Sequence, residues 1–215
     1  MLPNDVTIVL VNACEKGPAR GRCPAPGWPE QAALLLQACF PGEDGYPTLE
    51  RAGAEIQDLL ADAACLIVAF DGVGVAGIVG GLESYHGHVW ELHPLAVRAD
   101  RRGQGIGSHL VSLLEEEAAR ARVGTIILGT DDTDERTSIG GTSIFPGVLQ
   151  RLSAIRDTGG HLFAFYRRLG YEVTGVVPDA NGPGKHDILM SKSLNAVICQ
   201  AGIDQRSQRG EPRTC

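Results

Sequence analysis

Glu91 and His93 stand two residues apart in Trp90-Glu91-Leu92-His93-Pro94-Leu95. On an extended strand alternate side chains share a face, so Glu91, His93, Leu95 and Val97 are expected to point one way. Trp90 and Leu92 then point the other way, into core. A carboxylate beside an imidazole is suited to removing a proton, directly or through a water. A few residues on, Arg98-Ala99-Asp100-Arg101-Arg102-Gly103-Gln104-Gly105-Ile106-Gly107 is the sharpest local signal in the chain. Its glycines let successive backbone N–H groups turn toward one point, and the helix that starts there adds the positive end of its dipole. That is a pocket for a pyrophosphate, with Arg101 and Arg102 supplying charge; the plain alternative is a glycine-rich turn with solvated arginines. The spacing is not the G-x-G-x-x-G of a dinucleotide fold, and no Lys-Ser or Lys-Thr pair makes it a P-loop.

A third group is acidic. Asp131, Asp132, Asp134 and Glu135 place four carboxylates within five residues. Such a run is either a solvated loop or a cradle for a polycation, whose capture a negative cleft would speed. Asp179 and Asp187 extend the same acidic set.

These residues need elements to hold them. Val6 to Val11 reads as a first strand, and Trp28 to Phe40 as a helix with Pro29 near its start. A second helix runs through Leu60 with Thr48 as its N-cap. Cys65 to Phe70 and Val73 to Leu82 flank Asp71-Gly72, a hairpin signal. Val89 to Val97 is the fourth strand and Thr125 to Leu128 the fifth. Between them Gly105 to Arg122 carries Ile106, Leu110, Leu113, Leu114 and Ala118 at helical spacing. Pro146 to Ile155 and His161 to Leu169 read as helices, then Tyr171 to Val177 and Ile188 to Ser193 as strands. The order β-α-α-β-β-β-α-β-α-α-β-β implies an α/β fold, a mixed sheet with helices on both faces. One domain is expected over 1–194, with a surface insertion over 12–27 and a mobile tail over 195–215.

Composition narrows the partners. Across 215 residues, 19 Lys and Arg against 26 Asp and Glu give a net charge of −7. That balance argues against a general nucleic-acid binder and favours cationic ligands. The six cysteines show no C-x-x-C and no zinc spacing, so no metal is expected. No secretory signal or membrane-length apolar run stands out, which implies a cytoplasmic protein with no membrane partner.

Arg102, Gly105 and Gly107 match the phosphate loop of the GNAT acyltransferase superfamily. Four further segments recur in one order: Trp90 to Leu95, Leu128-Gly129-Thr130-Asp131-Asp132, Phe165-Tyr166-Arg167-Arg168-Leu169-Gly170-Tyr171, and Pro178-Asp179-Ala180-Asn181-Gly182 followed by Asp187-Ile188. Together they resemble the aminoglycoside 6′-N-acetyltransferases, in the branch typified by chromosomal enterococcal enzymes. The resemblance covers Val73 to Leu194 well and the N-terminal third weakly.

The resemblance implies the GNAT fold and acetyl-CoA as co-substrate. The diphosphate would lie on Arg102, Gly103, Gln104, Gly105, Ile106, Gly107 and Ser108, and the pantetheine arm on the main chain of Leu95, Ala96 and Val97. Glu91 matches the family's proposed base, acting through a water, or else only pairs with a cationic substrate. His93 would orient the water or the amine, a backbone N–H near Leu95 would face the oxyanion, and Tyr166 would protonate the leaving thiolate. Asp131, Asp132, Asp179 and Asp187 would bind the aminoglycoside together with Glu91. The family's Trp-Pro pair with following acids becomes Phe40-Pro41-Gly42-Glu43-Asp44, so Phe40 and Glu43 would take over there, without the indole N–H. A homodimer is implied in the same way. Two alternatives keep the fold: an acetyltransferase for a polyamine or another small amine, and an acyl-CoA-binding sensor without turnover.

Overall fold

The computed structural model describes residues 2–12 and 26–195. The expected insertion over 12–27, apart from its edges, and nearly all of the 195–215 tail lie outside the described residues. The chain divides into two compact units, one running to Ile126 and taking up the chain again at Leu194, the other spanning Ile127–Ser193.

In the first unit, β1 (Thr7–Asn12), β2 (Cys65–Phe70), β3 (Val75–Ser84) and β4 (Val89–Val97) pair antiparallel in chain order. Helices α1 (Trp28–Cys39), α2 (Leu49–Asp62) and α3 (Ile106–Arg120) complete it. Thr48 caps α2 as expected, its hydroxyl accepting from the Arg51 N–H at 3.2 Å, a contact worth about 1 kcal/mol.

Residue size sorts the two faces of β3. A Cβ on Gly77 would meet Leu110 at 3.0 Å and one on Gly81 would meet Leu114 at 2.7 Å, so α3 packs directly on this row. Ile78, one residue out of phase, faces the other way and joins Leu36, Ile56, Leu59, Leu66 and Val68 in the core under α1 and α2.

The Asp71-Gly72 turn is longer than the two-residue hairpin its sequence suggests. The Asp71 N–H reaches the Gly74 carbonyl at 2.9 Å, and the Asp71 carboxylate accepts from the Val73 and Gly74 amides. The aspartate side chain, more than the glycine, builds this turn.

β4 carries a second departure. Its burial alternates along the whole strand, yet the register slips: Gly81 pairs with Leu92, whereas Val79 pairs with Leu95. Three steps on β4 oppose two on β3, a β-bulge at His93–Pro94. Gly80 sits opposite, where any Cβ would collide with the His93 carbonyl oxygen. The slip corrects the expectation that Glu91, His93, Leu95 and Val97 share one face. Glu91 is in register with Leu82 on the α1/α2 side, while Leu95 and Val97 are in register with Val79 and Gly77 on the α3 side.

The second unit takes up β5 (Thr125–Asp131), which begins in the first. It adds α4 (Val148–Ser153), α5 (Leu162–Arg168), β6 (Glu172–Val177) and β7 (Asp187–Ser193), with strand order β5-β7-β6. Helices α4 and α5 are shorter than the expected 146–155 and 161–169. Gly147 in left-handed conformation opens α4, and His161 caps α5. No helix among the described residues is long and apolar enough to cross a membrane.

Candidate active site

The glycine loop leads into α3 as expected. Gly103 and Gly105 have φ of 73° and 85°, a left-handed conformation that costs little only without a Cβ. No side chain caps α3, and its first helical bond is from the His109 N–H to the Gly105 carbonyl. The Ile106, Gly107 and Ser108 amides therefore have no acceptor within the helix, which fits an anionic group such as a diphosphate.

The arginines divide their tasks. Arg101 donates through Nε to Asp71 at 2.7 Å and pairs with Asp5 at 2.5 Å, so its charge is already matched. This corrects its assignment to the pyrophosphate. Arg98 reaches the same Asp71 at 2.5 Å, and the Asp71 side chain is fully buried. Its hydrogen bonds from Arg98 first, then from the turn amides and Arg101, hold the carboxyl well below the usual range. Arg102 differs: it is exposed, its Nε donating to the Val97 carbonyl at 3.0 Å and its Nη2 to Cys39 Sγ at 3.3 Å. Among the described residues no carboxylate pairs with it. Its charge is open to a phosphate beside the end of β4.

On β4, Glu91 is half-buried and His93 is 45% exposed at its side chain. His93 Nε2 lies 3.5 Å from the Glu55 carboxylate on α2 and 3.3 Å from the Tyr46 hydroxyl. The Glu55 contact raises the His93 imidazole above its ordinary 6.5, with a smaller contribution from Glu91. Glu55 is held below its ordinary 4.5, chiefly by His93. Burial, then the Glu55 charge, pushes the Tyr46 phenol up. Neither Glu55 nor Tyr46 is visible from sequence as a partner of His93, because neither lies in a recurring motif and both are far from it along the chain.

Phe40 closes the loop that presents Tyr46. Its carbonyl accepts from the Tyr46 N–H at 2.7 Å and the rings meet edge-on, centroids 6.0 Å apart. Phe40 is half-buried against the α1/α2 core, and Glu43 is exposed.

In the second unit the acidic residues separate. Asp131 is exposed and accepts from Asn181 Nδ2 at 2.5 Å. Asp132 is fully buried and accepts from the Arg136 and Thr137 amides at 2.6 and 3.1 Å and from the Thr137 hydroxyl at 2.6 Å. It shapes its own loop and offers no surface to a ligand, which corrects its assignment to substrate. Asp134 pairs with Arg136. Asp179 is exposed and accepts from the Gly184 amide at 2.8 Å. The Asp187 carboxylate fills the space a side chain at Gly129 would take.

Two histidines staple this region. His161 Nδ1 accepts from the Phe163 N–H, so Nε2 carries the proton and donates to the Asp131 carbonyl at 3.0 Å. His186 Nδ1 accepts from the Asp179 N–H, so its Nε2–H is shared between the Thr142 and Ile139 carbonyls at 2.9 and 3.2 Å. Both side chains are buried. His186 stands in the segment Lys185-His186-Asp187, but nothing local betrays its partners some forty-five residues away.

Tyr166, on α5, is buried, its ring 5.6 Å from that of Tyr171. Burial raises its phenol, so the group is a neutral hydroxyl at physiological pH. Among the described residues no three His, Cys, Asp or Glu side chains are grouped to hold a metal.

Residues 30–140, more than half of the chain, match the Acetyltransferase (GNAT) family. The structure is similar to an aminoglycoside 6′-N-acetyltransferase complexed with coenzyme A, with TM-score 0.73 and 34% identity, covering 79% of this chain and 92% of that one. It is also similar to the aminoglycoside 6′-N-acetyltransferase of Enterococcus faecium, with TM-score 0.74 and 32% identity over 87% of this chain and 97% of that one. A third similar structure, aminoglycoside 6′-acetyltransferase type Ii, has TM-score 0.60 and 31% identity, covering 79% and 92%. No curated protein matches. Seven strands among the described residues in a mixed α/β arrangement, an uncapped helix behind a glycine loop and this match agree: the chain belongs to the GNAT acetyltransferase family, transferases that take their acetyl group from acetyl-CoA.

Proposed function

We propose that the protein acetylates the 6′-amine of aminoglycoside antibiotics in the cytoplasm, working as a homodimer and conferring resistance. The observation that carries this reading is identity of 31 to 34% with three aminoglycoside 6′-acetyltransferases, each covered over at least 92% of its length. Acetyl-CoA supplies the acetyl group. Arg102, the Gly103 to Gly105 loop and the amides of Ile106 to Ser108 hold its diphosphate, and the Leu95 to Val97 main chain its pantetheine arm.

An aminoglycoside amine arrives protonated, and only its free lone pair is a nucleophile. In this reading Glu91 takes the proton through a water that His93 orients. A backbone N–H near Leu95 faces the carbonyl oxygen. Tyr166, held neutral by burial, donates to the departing sulfur. Asp131, Asp179 and Asp187 bind the cationic sugar, and Glu43 and Phe40 take part in its recognition.

Release of free CoA thiol from acetyl-CoA in the presence of kanamycin or tobramycin is the test. Turnover of spermidine with silence on every aminoglycoside would replace the acceptor with a polyamine. Tight CoA binding with no turnover of any amine would make the chain an acyl-CoA sensor.

A further inference from the structure

Glu55 does not belong to the motifs of β4, yet it and Tyr46 meet at one atom of the residue beside the proposed base. Both contacts fall on His93 Nε2. A carboxylate can only accept there. The Tyr46 hydroxyl lies 3.3 Å from the same nitrogen and can either donate or accept there. With the Nε2 proton facing the carboxylate, the phenol oxygen is left to accept from the same N–H. Glu55 thus requires the proton on Nε2 and Tyr46 is compatible with it, which leaves the lone pair of the neutral ring on Nδ1.

We propose that Glu55, with Tyr46, is a positioning residue that fixes His93 as the Nε2–H tautomer and keeps Nδ1 as the acceptor for the substrate amine or its water. The proposal rests on the acetyl-transfer reading and adds to it a carboxylate–imidazole pair on β4 and α2. The Phe40–Tyr46 loop closure and the bulge at His93–Pro94 set its geometry. The groups that act on His93 are Glu55 from α2, Tyr46 from the preceding loop and Glu91 from β4 itself. Arg51, also on α2, acts on Tyr46 against the effect of Glu55.

Protonation of Nδ1 removes the acceptor, so kcat/KM should fall as pH drops through the His93 titration. The Glu55 charge favours the imidazolium, so Glu55→Gln should move that titration to lower pH by about one unit, Glu91 retaining part of the effect. The experiment is 15N NMR of the histidine rings in wild type and Glu55→Gln, alongside pH profiles of kcat/KM for acetylation of kanamycin and spermidine. In the wild type alone, the ring shifts should report Nε2–H at high pH and a titration above 6.5. In the variant, the titration and the acid limb of kcat/KM should move together. An Nδ1–H tautomer in the wild type overturns the proposal even if the variant does not fold. So does an NMR shift with an unmoved kinetic limb, which leaves Glu55 as packing. Absence of turnover by the wild type strikes the proposed acetyl transfer instead, while the ring tautomer is still decided by NMR.

Discussion

Glu91 and Asp132 are both acids near recurring motifs, and the structure gives them opposite fates. Glu91 sits half-buried on the α1/α2 side of β4; Asp132 is fully enclosed by the amides of its own loop. Glu91→Gln should lower kcat/KM for acetylation by about 10²-fold or more while leaving acetyl-CoA affinity within about twofold, as calorimetry would show. Equal losses in both would make Glu91 a binding residue only. The paired acids give a second contrast. Asp131→Asn should raise the aminoglycoside KM severalfold and flatten its salt dependence, with Tm unchanged. Asp132→Asn should instead lower Tm by several degrees, because a buried acceptor for two amides and a hydroxyl is weakened. Thermal melts and KM at two salt concentrations separate the two. Sequence spacing alone cannot make this distinction, since adjacent aspartates look alike until the chain folds back over one of them.

At the scale of elements, the Asp71 cluster ties the β2–β3 turn to the loop that leads into α3. The loop glycines and the helix that follows were legible because conformational freedom and 3.6-residue spacing are local properties. The anchor was not: Asp71-Gly72 has the composition of a hairpin, and nothing nearby shows that Arg98 and Arg101 return to it. The bulge at His93–Pro94 was hidden for a similar reason, since only Gly80 on the neighbouring strand makes room for the His93 carbonyl. Glu55 and Tyr46 reach His93 from a helix and a loop that carry no motif. Asp71→Asn should cost about 3 kcal/mol, as breaking a buried ion pair does, and lower Tm by roughly 10 °C. The pH dependence follows from the direction of the shift. A carboxyl held below its ordinary 3.8 contributes its full stability above that value and loses it as pH falls through the lower, folded value. The Tm gap between wild type and Asp71→Asn should therefore be constant near neutrality and shrink below about pH 4. A gap independent of pH down to 2 would show that the loss comes from the turn and not from the charge.

Over the whole molecule, the order of strands and helices was readable from periodicity, and most boundaries fall within a residue or two of expectation. What joined those elements into a known chemistry was the order of several short motifs, each weak alone. Membership of the GNAT family fixes acetyl-CoA as the donor, whereas the acceptor rests on likeness to enzymes that share about a third of the sequence. Phe40 stands where the resembling branch has an indole, so drug preference is where this chain should depart from its relatives. The most direct measurement is the position of the new acetyl group after the protein, acetyl-CoA and kanamycin are incubated together and the product is read by mass and two-dimensional NMR. The account predicts one added acetyl on the 6′ nitrogen; unmodified kanamycin, or an acetyl on any other amine, would contradict it.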